Sequence, residues 1–103
     1  MTVIRRRAAR HDLDEIAAYI GRDSVAAAER FLTAAQATFD LIANFPGAGT
    51  WVQTPRAKTA GVRRISVRRH QLYVVYYLAN DVIEILRVIH ASRDRDAILE
   101  DEF

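Results

Sequence analysis

Three runs rich in β-branched and aromatic residues, separated only by turn residues, lie between Val62 and Ile89 and restrict the fold more than any other feature. Val62-Arg-Arg-Ile-Ser-Val67 and Leu72-Tyr-Val-Val-Tyr-Tyr-Leu78 flank Arg68-Arg-His-Gln71, and Asn80-Asp81 turns the chain into Val82-Ile-Glu-Ile-Leu-Arg-Val-Ile89. Runs of this kind pair as an antiparallel meander. The middle run is apolar or aromatic at both parities, so both its faces are covered and it is the central strand. Its neighbours intersperse Arg64, Ser66, Glu84 and Arg87 among their apolar residues. The third run leads into His90-Ala-Ser-Arg-Asp94, which reads either as a polar strand exit or as a site.

The remaining pattern supplies what must cover this sheet. Thr2 to Arg7 is β-branched at its start and adds one strand. Asp12-Leu-Asp-Glu15 reads as the acidic first turn of a helix, with Leu13, Ile16, Ala17 and Ile20 recurring at helical spacing until Gly21. Asp23 or Ser24 caps a second helix whose stripe is Ala28, Phe31, Leu32, Ala35, Phe39 and Ile42, closed by Asn44 and Pro46. A short turn between the helices predicts a hairpin packed on the sheet. Pro46 to Ala60 has no periodicity and reads as a loop, held to the body by Trp51, the only tryptophan. Ser92 is expected to cap a final turn carrying Ile98 and Leu99, ahead of a frayed acidic tail. The expected architecture is α+β, a four-stranded, mainly antiparallel sheet with a helical hairpin on one face, in the order β-α-α-β-β-β, as one domain over residues 1–103.

Charge is unevenly spread along the chain. Residues 41–80 hold Arg56, Lys58, Arg63, Arg64, Arg68 and Arg69 and no carboxylate, whereas 81–103 hold three basic and seven acidic groups. The basic stretch reads as a surface for an acidic partner or nucleic acid, or equally as a solvated rim that guards a sheet edge. Arg87 and Arg93 extend that set of candidate partner-binding cations. No apolar run reaches the roughly 20 residues a bilayer crossing needs, and no apolar stretch follows the arginines of the first ten residues, so no membrane association is expected. With no cysteine as well, the expected location is the cytoplasm.

Chemistry has few candidates. The histidines at 11, 70 and 90 are never spaced for a metal, and no phosphate-cradling glycine loop or nucleophile elbow occurs, so no cofactor and no metal are expected. Metal-free phosphodiester cleavage would rest on His90 as proton carrier with Arg93, Arg87 or Arg64 facing the transition state. A bland alternative has His90, Arg93 and Asp94 closing the strand exit and pairing with one another.

The succession of strand, helical hairpin, loop and meander ending in Ile85-Leu-Arg-Val-Ile-His-Ala-Ser-Arg-Asp94 resembles the ParE branch of the RelE/ParE superfamily of bacterial toxin–antitoxin toxins. Asp12-Leu-Asp-Glu-Ile-Ala-Ala-Tyr-Ile20 and Ala27-Ala-Glu-Arg-Phe-Leu32 carry the likeness onto the helices. RelE-type members cut mRNA in the ribosome with a meander arginine, a second arginine after the last strand and a C-terminal tyrosine or histidine. Here those positions align near Leu72, with Arg93, and near Leu99, so one group of three remains. The resemblance therefore implies the ParE activity, inhibition of DNA gyrase and growth arrest, with no catalytic residue and no sequence-specific DNA binding by the toxin alone. It further implies a hetero-oligomer with a ParD-like antitoxin. A ribosome-dependent ribonuclease and an inactive antitoxin-binding relic are the alternatives.

Overall fold

A computed structural model describes residues 1–102. Its sheet has five strands in the order β1-β5-β4-β3-β2, where β1 is Val3–Arg5, β2 Thr50–Trp51, β3 Arg63–Val67, β4 His70–Ala79 and β5 Ile83–His90. The meander is present and its middle strand, β4, is central. β1 pairs in parallel with β5, and the other neighbours are antiparallel. The fifth strand, absent from the expected four, is β2. Two residues are too few to produce an alternation, so only its pairing of Thr50 with Arg64 and Trp51 with Arg63 defines it.

Four helices accompany the sheet: α1 (Arg7–Gly21), α2 (Val25–Asn44), α3 (Pro55–Ala60) and α4 (Arg95–Glu100). Helix α1 begins five residues before the expected Asp12. Arg7-Ala-Ala-Arg10 are strong helix formers, and Arg6 caps through its backbone, with no side-chain cap to signal the start. Asp12 thus lies inside the helix. Ser24 caps α2 as its sequence implies, accepting from the Ala27 N–H at 3.1 Å. Of the expected α2 stripe, Ala28, Phe31, Ala35, Phe39 and Ile42 are buried, but Leu32 is 41% exposed on the outer side.

Both sheet faces are closed, by different means. Tyr77, Val75, Ile83, Ile85 and Val88 meet the α1–α2 hairpin through Leu13, Phe31, Phe39 and Ile42. Val74, Tyr76, Leu86 and Ile89 pack with Val52, Ala57, Val62 and Leu99 on the other side. A bulge in β5, where Tyr77 faces Ile85 but Tyr76 faces Arg87, switches the alternation so that Ile85 and Val88 share a face. The segment expected to be an aperiodic loop therefore supplies α3 to the second core. Pro55 at its start and Gly61 at its end, at φ 82°, were start and stop signals around a helix too short to show a period. Asp94, rather than Ser92, caps α4, accepting from the Ala97 N–H at 3.3 Å. Leu99, expected in this final turn, is 2% exposed.

One buried phenol ties the connection after α2 to the sheet. Tyr77 Oη accepts from the Gly49 N–H at 2.8 Å and donates to the Pro46 carbonyl at 2.9 Å. Burial pushes this phenol's pKa up, opposed by the Gly49 bond and by the charge of Arg63. Gly49 packs so tightly that a Cβ would sit 2.7 Å from the Arg64 carbonyl oxygen and from Tyr77 Oη. Tyr77→Phe should lower stability by about 1–3 kcal/mol, since it leaves a buried N–H unsatisfied. Gly49→Ala should cost more, because backbone must move. Urea denaturation of both variants checks the order.

Candidate functional site

Ala9, Asp12, Leu13 and Ile16 stand at i, i+3, i+4 and i+7, so a carboxylate occupies the core stripe of α1. β1 ends at Arg5, and the Arg6 N–H to the Ile85 carbonyl, at 3.0 Å, closes the β1–β5 pairing. Further along β5, Asp12 takes the strand's place. Its Oδ2 accepts the Val88 N–H at 2.9 Å and Arg87 Nε at 2.7 Å, and its Oδ1 accepts Arg87 Nη2 at 2.7 Å. The two side chains are 16% and 5% exposed. The bond to Asp12 raises the pKa of Arg87 in spite of its burial, so the guanidinium stays charged. Arg87, expected as a partner-binding or transition-state cation, is instead spent inside the fold. An acid on an apolar helical stripe was the signal that marks this pair.

Other cations of the candidate set divide between internal bonds and solvent. Arg63 Nη1 donates to the Gly49 carbonyl at 2.8 Å while its guanidinium lies 3.6 Å from the Trp51 ring centroid. Arg56 pairs with Glu100 at 2.9 Å. The acidic C-terminal stretch thus returns to the basic one, and the segregation seen along the chain is partly cancelled in space. Lys58, Arg64, Arg68, Arg69 and Arg93 make no side-chain hydrogen bond or ion pair among the described residues. Arg68 and Arg69 form the tip of the β3–β4 hairpin, where Arg69 takes φ 62°. The tip is fastened to α2 by the Arg68 N–H donating to Thr38 Oγ1 at 3.1 Å. With Arg30, Thr33, Ala37 and His70 they border an open groove of about 860 Å³. Trp51, expected to be held down in the body, is 50% exposed.

His90 ends β5 beside Tyr73, whose ring lies edge-on at 5.2 Å. Its Nδ1 accepts the Ser92 N–H at 3.1 Å and lies 2.8 Å from Ser92 Oγ. The expected pairing of His90 with Arg93 and Asp94 is replaced by this Ser92 contact, the Arg93 N–H donating to the His90 carbonyl at 3.0 Å. Tyr73 in turn stacks edge-on with Phe31, which also meets His70, so the imidazole closes a row of rings. Burial, and then Tyr19, push the Tyr73 phenol up. His90 and Arg93 line a shallow cavity of about 300 Å³ with Arg64, Tyr76, Asp94 and Asp96. Three arginines there, Arg64, Arg93 and Arg95, favour an anion, and Asp94 and Asp96, the latter paired with Arg95 at 3.1 Å, oppose one. His11 is remote on α1, opposite Glu15 at 3.6 Å, and His70 stands at the far end of the same row of rings, so neither imidazole shares the cavity with His90. Leu72 is 62% exposed and Leu99 is buried, which leaves neither position with a group able to donate to phosphate. No group of three or more metal-ligating side chains occurs among the described residues, and no helix is long and apolar enough to cross a membrane.

A mixed five-stranded sheet faced by a helical hairpin is broadly the α+β arrangement of the RelE/ParE class. The family described as the ParE toxin of the type II toxin–antitoxin system, parDE, matches residues 3–95. Toxin ParE1 of Caulobacter vibrioides is 37% identical over 94 residues, covering 90% of this chain and 92% of the relative. The chain belongs to the ParE toxin family.

Breaking the buried pair should be costly from either side. Asp12→Ala strands a guanidinium and an N–H, and Arg87→Ala strands a carboxylate, each lowering stability by about 3–5 kcal/mol. The double variant should lose markedly less than the two single losses added, as residues in one network do. Chemical denaturation of the full cycle measures the coupling, and strict additivity would show the two side chains to be independent.

Proposed function

We propose that this ParE-family protein is an intracellular toxin that arrests growth by binding DNA gyrase, and that a ParD-like antitoxin neutralises it in a hetero-oligomer. The observation that carries the reading is the state of the strand exit. Around His90 the groups a ribonuclease of the superfamily would need are an exposed leucine, a buried leucine and an arginine with aspartates beside it. Of the three groups a superfamily ribonuclease uses, such a site keeps one, and its one imidazole, His90, has only Tyr76, Asp94 and Asp96 beside it as partners for the general acid–base catalysis that RNA cleavage needs. Exposed, unpaired arginines on a rigid scaffold instead suit recognition of an acidic protein surface, because the planar guanidinium presents several donors at once. Arg64, Arg68, Arg69 and Arg93 are the contact residues we assign, with Lys58. For the antitoxin we assign the groove between α2 and the hairpin tip, where Arg30, Arg68 and Arg69 outnumber Glu29 and would speed capture of an acidic segment that folds on binding.

Three measurements bear on this. Toxin freed from its antitoxin should inhibit supercoiling by purified gyrase and leave mRNA on stalled ribosomes intact; cutting without inhibition would reverse the assignment to a ribonuclease. His90→Ala should remain toxic in an expression assay, with a stability loss of about 1 kcal/mol for the Ser92 contact. A folded His90→Ala protein devoid of toxicity would point back to catalysis. Arg68→Glu combined with Arg69→Glu should weaken antitoxin binding in titration calorimetry, the deficit shrinking at high salt.

A further inference from the structure

We propose that Trp51, stacked on Arg63 at the β2 edge of the sheet, is the anchor by which this toxin engages an acidic surface of its protein target, a contact separate from antitoxin binding. This rests on the proposed reading of the protein as an inhibitor of a protein target. Half-exposed tryptophan is unusual in a chain this small, and this one is held in place. Trp51 and Arg63 are directly opposed in the β2–β3 register, so their side chains share a face, and the guanidinium covers the indole at 3.6 Å. Arg63 is itself fastened by its bond to the Gly49 carbonyl, and Gly49 by its N–H to buried Tyr77. The chain from Pro46 to Trp51 is thereby fixed from beneath while Trp51 stays 50% exposed. Rigid presentation of a large aromatic removes the ordering cost that a mobile side chain would incur on binding.

The chemistry of the occupant follows from what is left unmatched. The indole N–H has no acceptor among the described residues, and Arg63 keeps further donors beyond the one bonded to Gly49. Residues 41–80 contain no carboxylate, so the β2–β3 segment supplies no acid of its own. Donors, positive charge and an apolar ring edge together fit a carboxylate-bearing, partly apolar protein surface, the setting in which tryptophan and arginine act as binding hot spots. A nucleic-acid strand fits less well. Stacking of bases uses the aromatic face, and Arg63 already covers one of the two here.

The test compares Trp51→Ala with wild type in three readouts: growth arrest on expression, inhibition of supercoiling by purified gyrase, and calorimetric affinity for the co-encoded antitoxin. The anchor is supported when arrest is lost, the concentration for half-inhibition of gyrase rises at least about tenfold, and antitoxin affinity stays within about twofold, with the melting temperature unchanged. Retained arrest, or an equal loss of antitoxin affinity, overturns it. Wild type that arrests growth but leaves gyrase untouched sinks the gyrase reading alone, and arrest by Trp51→Ala then still decides the anchor. For a variant that fails to fold, wild-type protein carrying 5-fluorotryptophan at this single tryptophan replaces it. Where wild type inhibits gyrase, its fluorine resonance should shift and broaden with gyrase and stay unmoved by a single-stranded oligonucleotide; the reverse pattern overturns the proposal.

Discussion

The Asp12 carboxylate is the interaction on which the rest of this structure depends. A three-residue parallel strand leaves much of the β5 edge opposite β4 without a strand neighbour, and a helix packed over the same strand cannot supply backbone donors or acceptors to it. A carboxylate on the buried stripe of α1 meets both needs, accepting the Val88 N–H and clamping Arg87. Because Asp12 lies 75 residues before Arg87 and 76 before Val88, the pair fixes the helical hairpin against the sheet at one place. A buried ion pair contributes less to net stability than its short distances suggest, since two charges lose water. Its geometric demand is nonetheless strict.

The sheet is covered twice, with consequences for its charges. The hairpin closes one face along a continuous helical stripe, whereas short α3 and α4, joined by the Arg56–Glu100 pair, close the other. Arg6 extends this closure, contacting Glu84 at 3.5 Å and Glu102 at 3.6 Å. The acidic end of the chain thus offsets basic groups at the sheet's margin. Of the cations between residues 56 and 93, those whose side chains are left without a bonded partner among the described residues are Lys58 on α3, Arg68 and Arg69 at the hairpin tip, and Arg64 and Arg93 at the exit of β5.

The strand exit bears on whether this protein works by chemistry or by recognition. Nδ1 of His90 is already engaged by Ser92, and Arg64, Arg93 and Arg95 share its cavity with Asp94 and Asp96. The rigid features lie elsewhere, in the Tyr77–Gly49–Arg63–Trp51 series at the far edge and in the hairpin tip held by Thr38. Rigid, exposed and unmatched groups are the properties of a binding surface.

Local pattern was enough for the meander, the central position of β4, the two long helices and the Ser24 cap, because each depends on periodicity or on a turn residue within a few positions. The likeness to the ParE branch was legible for the same reason, being carried by contiguous stretches on both helices and β5. Short elements escaped: β2 and α3 have two and six residues, below the length at which a period shows, and exist through pairing with β3 and packing on the second core. The fates of the cations escaped as well. Nothing adjacent to Arg87, Arg63 or Arg56 in the chain distinguishes them from Arg64, Arg68 or Arg69. Only the folding of Asp12, Trp51 and Glu100 onto them separates buried or paired arginines from free ones, since electrostatic partnership is set by distance in space and not by separation along the chain.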